Sequence, residues 1–244
     1  MCLLRGPAEA AWMQSVAAEM NLAETAFPLA EGDGFRLRWF TPKVEVRLCG
    51  HATLATAHIL WEQGLLPAGR EARFQTLSGL LTARRDGDLV ELDFPARPPC
   101  RRPPDWAEAV AGALGIKPAA IVHERGGRSL RGGSTKRRCA RSSPTSPPSG
   151  RSRRAASSSP AGRPRRAIDF VSRFFAPAVG VDEDPVTGSS HTVLVPYWAK
   201  KLGKSEFTAY QASARGGVLR LRLAGDRVKI AGRAVTVIKG ELVV

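Results

Sequence analysis

The spacing of apolar residues changes from a helical to a strand period within the N-terminal part of the chain. Trp12, Val16 and Met20 recur at every fourth position, which predicts an amphipathic helix. Between residues 35 and 39, Phe, Leu and Trp alternate with arginine, which predicts a half-buried strand. This order favours an architecture in which helices pack on a sheet.

Two further features complete the first half of the chain. Gly50 precedes an apolar segment at 52–60, which predicts a helix that ends near Gly64. Residues 74–77 and 80–94 then predict strands, with a hairpin turn at Asp86-Gly87-Asp88.

The rest of the chain follows a similar order. Asp105 and Glu108 form a capping box for a helix that Gly115 closes. A basic segment follows, and after it the pattern predicts a strand, a helix and four short strands, at 168–175, 188–202, 207–213, 218–223, 227–230 and 234–238. The chain thus divides into an N-terminal half, 1–97, and a C-terminal half, 98–244.

The same plan occurs twice, at an offset of about 137 residues. In the first copy, Glu45 precedes Gly50-His51 and an apolar helix. In the second copy, Asp184 precedes Gly188-Ser189 and another apolar helix. A strand and a hairpin follow each helix, so we predict an α+β fold whose two related halves face each other across a cleft.

The composition is that of a folded protein, because 43% of the 244 residues are apolar. No apolar run reaches 18 residues, and the first residues are too few for the apolar part of a signal peptide. The four cysteines show neither CxxC spacing nor a dense disulfide pattern. We therefore expect a soluble cytoplasmic protein with free thiols and no membrane partner.

The net charge of +15 is concentrated in one segment. Residues 125–166 hold thirteen of the 37 Lys and Arg residues and none of the 22 Asp and Glu residues, so the rest has a net charge of +2. Leu130 is the only large aliphatic residue in this segment, which excludes a packed core within it. Two interpretations stay open. The segment is a disordered basic insertion, or it is a compensated frameshift in GC-rich DNA whose neighbouring frame can encode a helix and a buried strand.

Each half can bring one acidic side chain and one helix N-terminus to the cleft. The free N–H groups at Gly50-His51 and at Gly188-Ser189 suit a substrate carboxylate. A carboxyl group that is partly removed from water has a raised pKa and can transfer a proton at carbon, provided that these N–H groups stabilise the resulting anion. The pattern favours proton transfer on a small carboxylate-bearing metabolite.

Five stretches of the chain resemble the signature of the PhzF-like (phenazine biosynthesis-like) isomerases. They are 37–42, Glu45-Val46, 48–55, 183–189 and Arg215-Gly216-Gly217. The resemblance implies a fold like that of diaminopimelate epimerase, an α/β roll of two pseudo-symmetric halves, each a mixed sheet around a central helix. It also implies a homodimer without cofactor or metal. Because the family normally begins earlier, we expect the first half to be truncated at its start.

The resemblance also implies roles for single residues. A glutamate is the general acid/base of the family, and its position is matched by Glu45. Asp184 matches an aspartate that is a candidate for binding substrate or assisting proton movement. The candidate substrate-binding residues are Gly50, His51, Ser78, Thr187, Gly188, Ser189, Arg215 and Gly216.

Other roles stay open for several of these residues. Taken alone, Glu45 is typical of a solvated loop carboxylate, and Asp184 is typical of a helix cap or turn. His51 and His191 lie at helix starts, where a capping role and a contact with substrate are equally consistent with the sequence. Cys49 is consistent with packing or with a reactive thiol at a helix N-terminus.

The leading hypothesis is therefore a cofactor-free isomerase. A non-catalytic interaction protein of the same fold is the first alternative. Nucleic-acid binding through residues 125–166 is the second, and it ranks last because the segment lacks interleaved aromatic residues.

Overall fold

The computed structural model describes residues 1–97, 108, 112, 121–123, 129–131, 168–175 and 181–243. Three helices have defined bounds among these residues: α1 (Ala10–Met20), α2 (Gly50–Glu62) and α3 (Gly188–Leu202). The strands of the first half are β1 (Thr25–Glu31), β2 (Gly34–Phe40), β3 (Glu45–Val46), β4 (Ala72–Thr76), β5 (Gly79–Asp86) and β6 (Leu89–Pro95). Those of the second half are β7 (Ile121–His123), β8 (Ser129–Arg131), β9 (Phe170–Ser172), β10 (Glu206–Gln211), β11 (Gly217–Ala224) and β12 (Arg227–Gly232).

Ten of these strands form one mixed sheet in the order β1-β2-β4-β5-β6-β12-β11-β10-β9, with β3 paired to β2. The pairs β2/β4 and β9/β10 are parallel, and the other pairs are antiparallel. The two halves join where β6 pairs with β12. Strands β7 and β8 form a separate pair. The predicted α+β class is confirmed, whereas the pseudo-symmetry of the halves and the central position of their helices stay predictions.

One hydrophobic core runs through both halves. It includes Leu60 of α2 and Phe94 of β6 as well as Leu194 of α3 and Ile230 of β12. Helix α2 contacts β1 and β6, helix α3 contacts β11 and β12, and the two helices contact each other. Helix α1 packs on the start of the sheet in a second, smaller cluster. This packing places the N-termini of α2 and α3 side by side.

Most predicted elements are present at the expected places, but the short strands β3, β7 and β8 were not predicted, and neither were two features of longer segments. Strand β1 was not predicted, because residues 25–28 are buried at four consecutive positions and include Pro28, so they show no alternation. The strand predicted at 234–238 is wrong. Val235 and Val237 are 80% and 86% exposed, while Thr236 donates a hydrogen bond of 2.6 Å to Glu62 of α2.

Several predictions fall on residues that the structure does not describe. The helix predicted from Asp105 to Gly115 lies outside the described residues, apart from Glu108 and Gly112, which are helical. The basic segment 125–166 also lies outside them, apart from β8. Among the described helices, none is long and apolar enough to cross a membrane. The division into halves at residue 97 stays a prediction.

Candidate active site

Helices α2 and α3 meet at their first residues. A Cβ atom added to Gly50 would lie 2.6 Å from Cα of Gly188, and one added to Gly188 would lie 2.8 Å from Cα of Gly50. Only two glycines allow this approach of backbone to backbone. The N-cap residues Cys49 and Thr187 make no side-chain cap to either helix within the described structure. Two groups of unpaired helical N–H donors therefore lie at one place.

His51, in the first turn of α2, lies between two carboxylates from distant parts of the chain. Its Nε2 is 3.0 Å from Oε2 of Glu24, and its Nδ1 is 3.6 Å from Oδ1 of Asp184. The Glu24 and Asp184 side chains are only 13% and 6% exposed. Among the described residues, neither of these two oxygens has an aligned hydrogen-bond partner. The site thus places one buried carboxylate oxygen on each side of an imidazole.

The charges of this group follow from its burial. Burial lowers the pKa of His51, but the neighbouring Cys49, Glu24 and Asp184 more than offset this and raise it well above its ordinary value. Burial raises the pKa of the Cys49 thiol, opposed first by the charge of His51. Burial also raises the pKa of Asp184, opposed first by His51.

A hydrogen-bond network fixes the Asp184 carboxylate. Thr187 donates from its hydroxyl to Oδ2 of Asp184 at 2.5 Å. Gln211, which is fully buried, donates to the Asp184 carbonyl at 2.8 Å and to the Thr187 hydroxyl at 3.0 Å. The backbone N–H of Thr187 in turn donates to Oε1 of Gln211 at 2.8 Å. Because Oδ2 is held in this way, Oδ1 is left facing His51.

His191 supports the same network from within the core. Its Nδ1 lies 2.7 Å from the Thr187 carbonyl oxygen, which only accepts, so Nδ1 carries the proton. Nε2 then accepts from the Ser172 hydroxyl at 3.3 Å. Burial lowers the pKa of His191 to about 4. At neutral pH it is a neutral, fully buried residue, and its role is hydrogen bonding within the fold.

The donor set near His51 also suits a metal ion. Glu24, Cys49 and His51 each offer one ligand atom, and these atoms lie within 4.8 Å of one another. The Cys49 sulfur is 3.8 Å from both ring nitrogens of His51. Thiolate, imidazole and carboxylate are the ligands that Zn²⁺ accepts.

The predicted site residues divide into two groups. Gly50, His51, Asp184, Thr187 and Gly188 come together at the junction of α2 and α3. The second group comprises Glu45, Ser78, Ser189, Arg215 and Gly216, and the described hydrogen bonds of Glu45, Ser78 and Gly216 are with Arg38, Arg47 and Ser213.

Glu45 is the clearest difference between the predicted and the observed arrangement. Both of its carboxylate oxygens accept hydrogen bonds from Arg38, at 2.7 and 2.8 Å. Ser78 donates to the Arg47 carbonyl at 2.8 Å. Arg215 is exposed, but it lies close enough to Asp184 to oppose the rise of that pKa. The roles predicted for these three residues stay predictions.

Two residues of the site were missed by sequence reasoning. Glu24 lies between the end of α1 and the start of β1, and its neighbours in sequence give no sign of its partners. Gln211 could have been found, because Phe207, Ala209 and Gln211 occupy successive inward positions of β10. A glutamine at an apolar position of this alternation indicates a buried polar function.

The sequence and the fold were compared with those of known proteins. The family model described as phenazine biosynthesis-like protein, PhzC-PhzF, matches residues 1–240. An uncharacterized isomerase from Halalkalibacterium halodurans is 46% identical over 242 residues, covering 99% of this chain and 91% of the relative. The human phenazine biosynthesis-like domain-containing protein is 37% identical over 271 residues, covering 99% and 92%. The crystal structure of a PhzF family phenazine biosynthesis protein from Enterococcus faecalis superposes with a TM-score of 0.73 at 32% identity, covering 95% and 86%. The resemblance noted in the sequence is confirmed: the chain belongs to the PhzC-PhzF family of phenazine biosynthesis-like proteins.

Proposed function

We propose that this protein is an isomerase that moves a proton on a small carboxylate-bearing metabolite, by general acid/base catalysis and without a cofactor. The observation that carries the proposal is His51 held between two buried carboxylates, Glu24 and Asp184. Buried carboxylates are costly unless an opposite charge, a ligand or a proton uses their oxygens. Their position at two helix N-termini supplies the complementary site for an anion.

We assign the base to Glu24 rather than to Glu45. A base needs a free lone pair within reach of the substrate C–H group. Oε2 of Glu24 faces the His51 imidazole at 3.0 Å and keeps its second lone pair, whereas both oxygens of Glu45 accept hydrogen bonds from Arg38. Glu24 also lies beside Asp184 and His51, which are the groups that can complete the proton transfer.

The reaction then follows from the charges. The Glu24 carboxylate takes a proton from the carbon next to the substrate carboxylate, and the electron pair of the C–H bond moves into the adjacent π system. The N–H groups at Gly50 and Gly188 stabilise the resulting anion. A proton returns to a different carbon from Glu24, or from His51, and in the second case the proton taken up by Glu24 passes to His51 across the 3.0 Å between Oε2 and Nε2 and restores both groups. Nothing is oxidised or consumed, so the product is an isomer of the substrate.

The substrate carboxylate would lie at the two helix N-termini. Thr187, Gly188 and Ser189 begin α3, and Gly50 with His51 begins α2. Arg215 and Gly216 lie in the turn before β11, and the backbone N–H of Gly216 donates to the hydroxyl of Ser213 at 3.0 Å. That hydroxyl donates to the Pro185 carbonyl, which connects the turn to the Asp184 loop.

The internal repeat supports two related halves around this site. Phe35 pairs with Phe74 in the parallel β2/β4 pair, and Phe170 pairs with Ala209 in the parallel β9/β10 pair. Both members of the second pair lie 135 residues after those of the first. We propose that the halves are pseudo-symmetric on this basis. The homodimer implied by the family and the cytoplasmic location expected from the composition stay predictions.

Exchange of solvent deuterium tests the proposed function. Purified protein in D₂O would be incubated with small carboxylates that carry an acidic C–H group, and ¹H NMR would follow loss of that proton. Glu24→Gln should slow exchange by roughly 10²–10⁴-fold while the circular dichroism spectrum is unchanged. Glu45→Gln should lose roughly tenfold at most. Full activity of Glu24→Gln would refute the assignment, and a protein that exchanges none of the substrates would favour the non-catalytic interaction protein.

A further inference from the structure

Arg38 and Glu45 form a bidentate ion pair beside the segment that leads into α2. The guanidinium donates from Nε to Oε1 at 2.7 Å and from NH2 to Oε2 at 2.8 Å. The Arg38 side chain also lies over the ring of Phe40, 5.1 Å from its centroid. Both charged side chains are more than two-thirds buried. The arginine is therefore fixed on one side by a carboxylate and on the other by an aromatic ring.

The second half contains the same arrangement beside the loop that enters α3. Arg173 donates from Nε to Oε1 of Glu183 at 2.6 Å and from NH2 to Oε2 at 3.0 Å. Its guanidinium lies over the ring of Phe175, 4.8 Å from the centroid. Each of these two Arg-Phe-Glu groups is called a clamp below.

The two clamps occupy equivalent places in the chain. In each, the arginine precedes its phenylalanine by two residues, and the glutamate precedes the first glycine of a helix by five residues. The backbone agrees with this, because Phe40 pairs with Glu45 across the β2/β3 ladder. In the second half, the N–H group next to Glu183, that of Asp184, donates to the carbonyl of Phe174 at 3.0 Å.

We propose that the two clamps set the approach of the α2 and α3 N-termini, so that Glu45 and Glu183 are equivalent positioning residues. The first clamp ties Arg38 of β2 to Glu45 of β3, and the second ties Arg173, directly after β9, to Glu183; each glutamate lies in the segment that leads into its helix. The backbones of Gly50 and Gly188 are already in contact, so a displacement of either loop must separate the two helix N-termini. Glu183 also directly precedes Asp184, so the second clamp holds the loop that carries this carboxylate. The inference rests on the proposed function only for its chemical consequence, since the clamps and the junction are described independently of any reaction.

Paired substitutions separate positioning from simple charge effects. Glu45→Gln removes a negative charge, whereas Arg38→Gln removes a positive one. If only charge matters, the two variants shift the titration of His51 in opposite directions. If the clamp positions α2, both variants lengthen the distance from His51 to its carboxylate partners. Both then lower the pKa of His51.

The experiment uses the full chain and needs no substrate. The pKa of His51 would be measured by NMR with histidine-labelled protein, with the resonance assigned from His51→Asn. Hydrogen exchange of peptides 46–54 and 184–192 would be followed by mass spectrometry. We expect Glu45→Gln and Arg38→Gln to speed exchange in the first peptide by about tenfold, and Glu183→Gln to do so in the second.

Glu71→Gln is the matched control, because Glu71 pairs with the exposed Arg84 on the sheet. It should leave the His51 titration and both peptides unchanged. Glu45→Asp, which keeps the charge but shortens the side chain, replaces Glu45→Gln if that variant does not fold. Opposite shifts of the His51 pKa, or unchanged exchange in both peptides, would overturn the proposal. Neither readout uses turnover, so failure here is distinct from failure of the proposed function.

Discussion

Acidification from pH 7 to pH 4 should destabilise this protein through His191. The neutral ring donates to the Thr187 carbonyl and accepts from the Ser172 hydroxyl. It is fully buried, and burial lowers its pKa to about 4. Protonation in the native state would replace the acceptor at Nε2 by a second donor and put a charge in the core. The native state therefore resists a proton that the unfolded chain takes up readily.

The magnitude follows from the two pKa values. An unfolded histidine has a pKa of about 6.5, so the difference from about 4 is roughly 2.5 pH units. At about 1.36 kcal/mol per unit, the free energy of unfolding contributed by His191 falls by about 3 kcal/mol in total. The loss begins as the pH falls below about 6.5 and ends near pH 4. Above pH 6.5 both states are neutral, and the contribution is constant.

Urea unfolding at several pH values between 7 and 4 would measure this effect. His191→Asn keeps a donor near the Thr187 carbonyl but cannot titrate, so it is the reference. The difference in unfolding free energy between the native protein and this variant should fall by about 1.4 kcal/mol per pH unit in the middle of the range. Asp184, whose pKa is raised, acts in the opposite direction, but it is present in both proteins and cancels in the difference. A difference that does not change with pH would refute the reasoning.

Two further predictions concern the junction of α2 and α3. Gly50→Ala should destabilise the protein by about 1–2 kcal/mol and lower Tm by about 2–8 °C, because its Cβ would lie 2.6 Å from Gly188; thermal unfolding checks this. Gly69→Ala, which has no described atom within 4 Å, is the control, and equal Tm values for the two variants would contradict the prediction. Added Zn²⁺ should inhibit deuterium exchange by occupying the ligand atoms near His51, and chelation should restore activity. Cys49→Ala should weaken this inhibition; an unchanged inhibition constant would place the ion elsewhere.

Local patterns were enough to predict much of the fold. The alternation of residues 35–39, the glycine before α2 and the Asp86-Gly87-Asp88 turn each specify their element through near neighbours. Strand β1 escaped prediction because it is buried on both sides, by α1 and by the main core. Residues 234–238 have the composition of a strand, but Thr236 bonds to Glu62 of α2, and Lys239 bonds to Gln63 directly after that helix. Strand propensity alone does not decide such a segment, because pairing depends on a free neighbouring strand.

In the candidate site, too, some residues could be predicted from local patterns and others could not. Gly50 and Asp184 stood out because a glycine opens each helix and an acid precedes it. Glu45 stood out for the same reason, yet its counterpart in the second half is Glu183, and both are held by arginine. Glu24 carries no such signal, because the partners that give it a function are distant in sequence.

Residue spacing and short motifs were enough to predict the family, the α+β class and most of the helices and strands. The identity of the acids beside the imidazole depends on the three-dimensional packing. His51, Glu24 and Asp184 meet because α2 and α3 pack at their glycines, and that contact depends on the packing of the whole sheet and core. Burial, free lone pairs and a raised histidine pKa arise from that meeting. They are properties of the assembled site and of none of its segments alone.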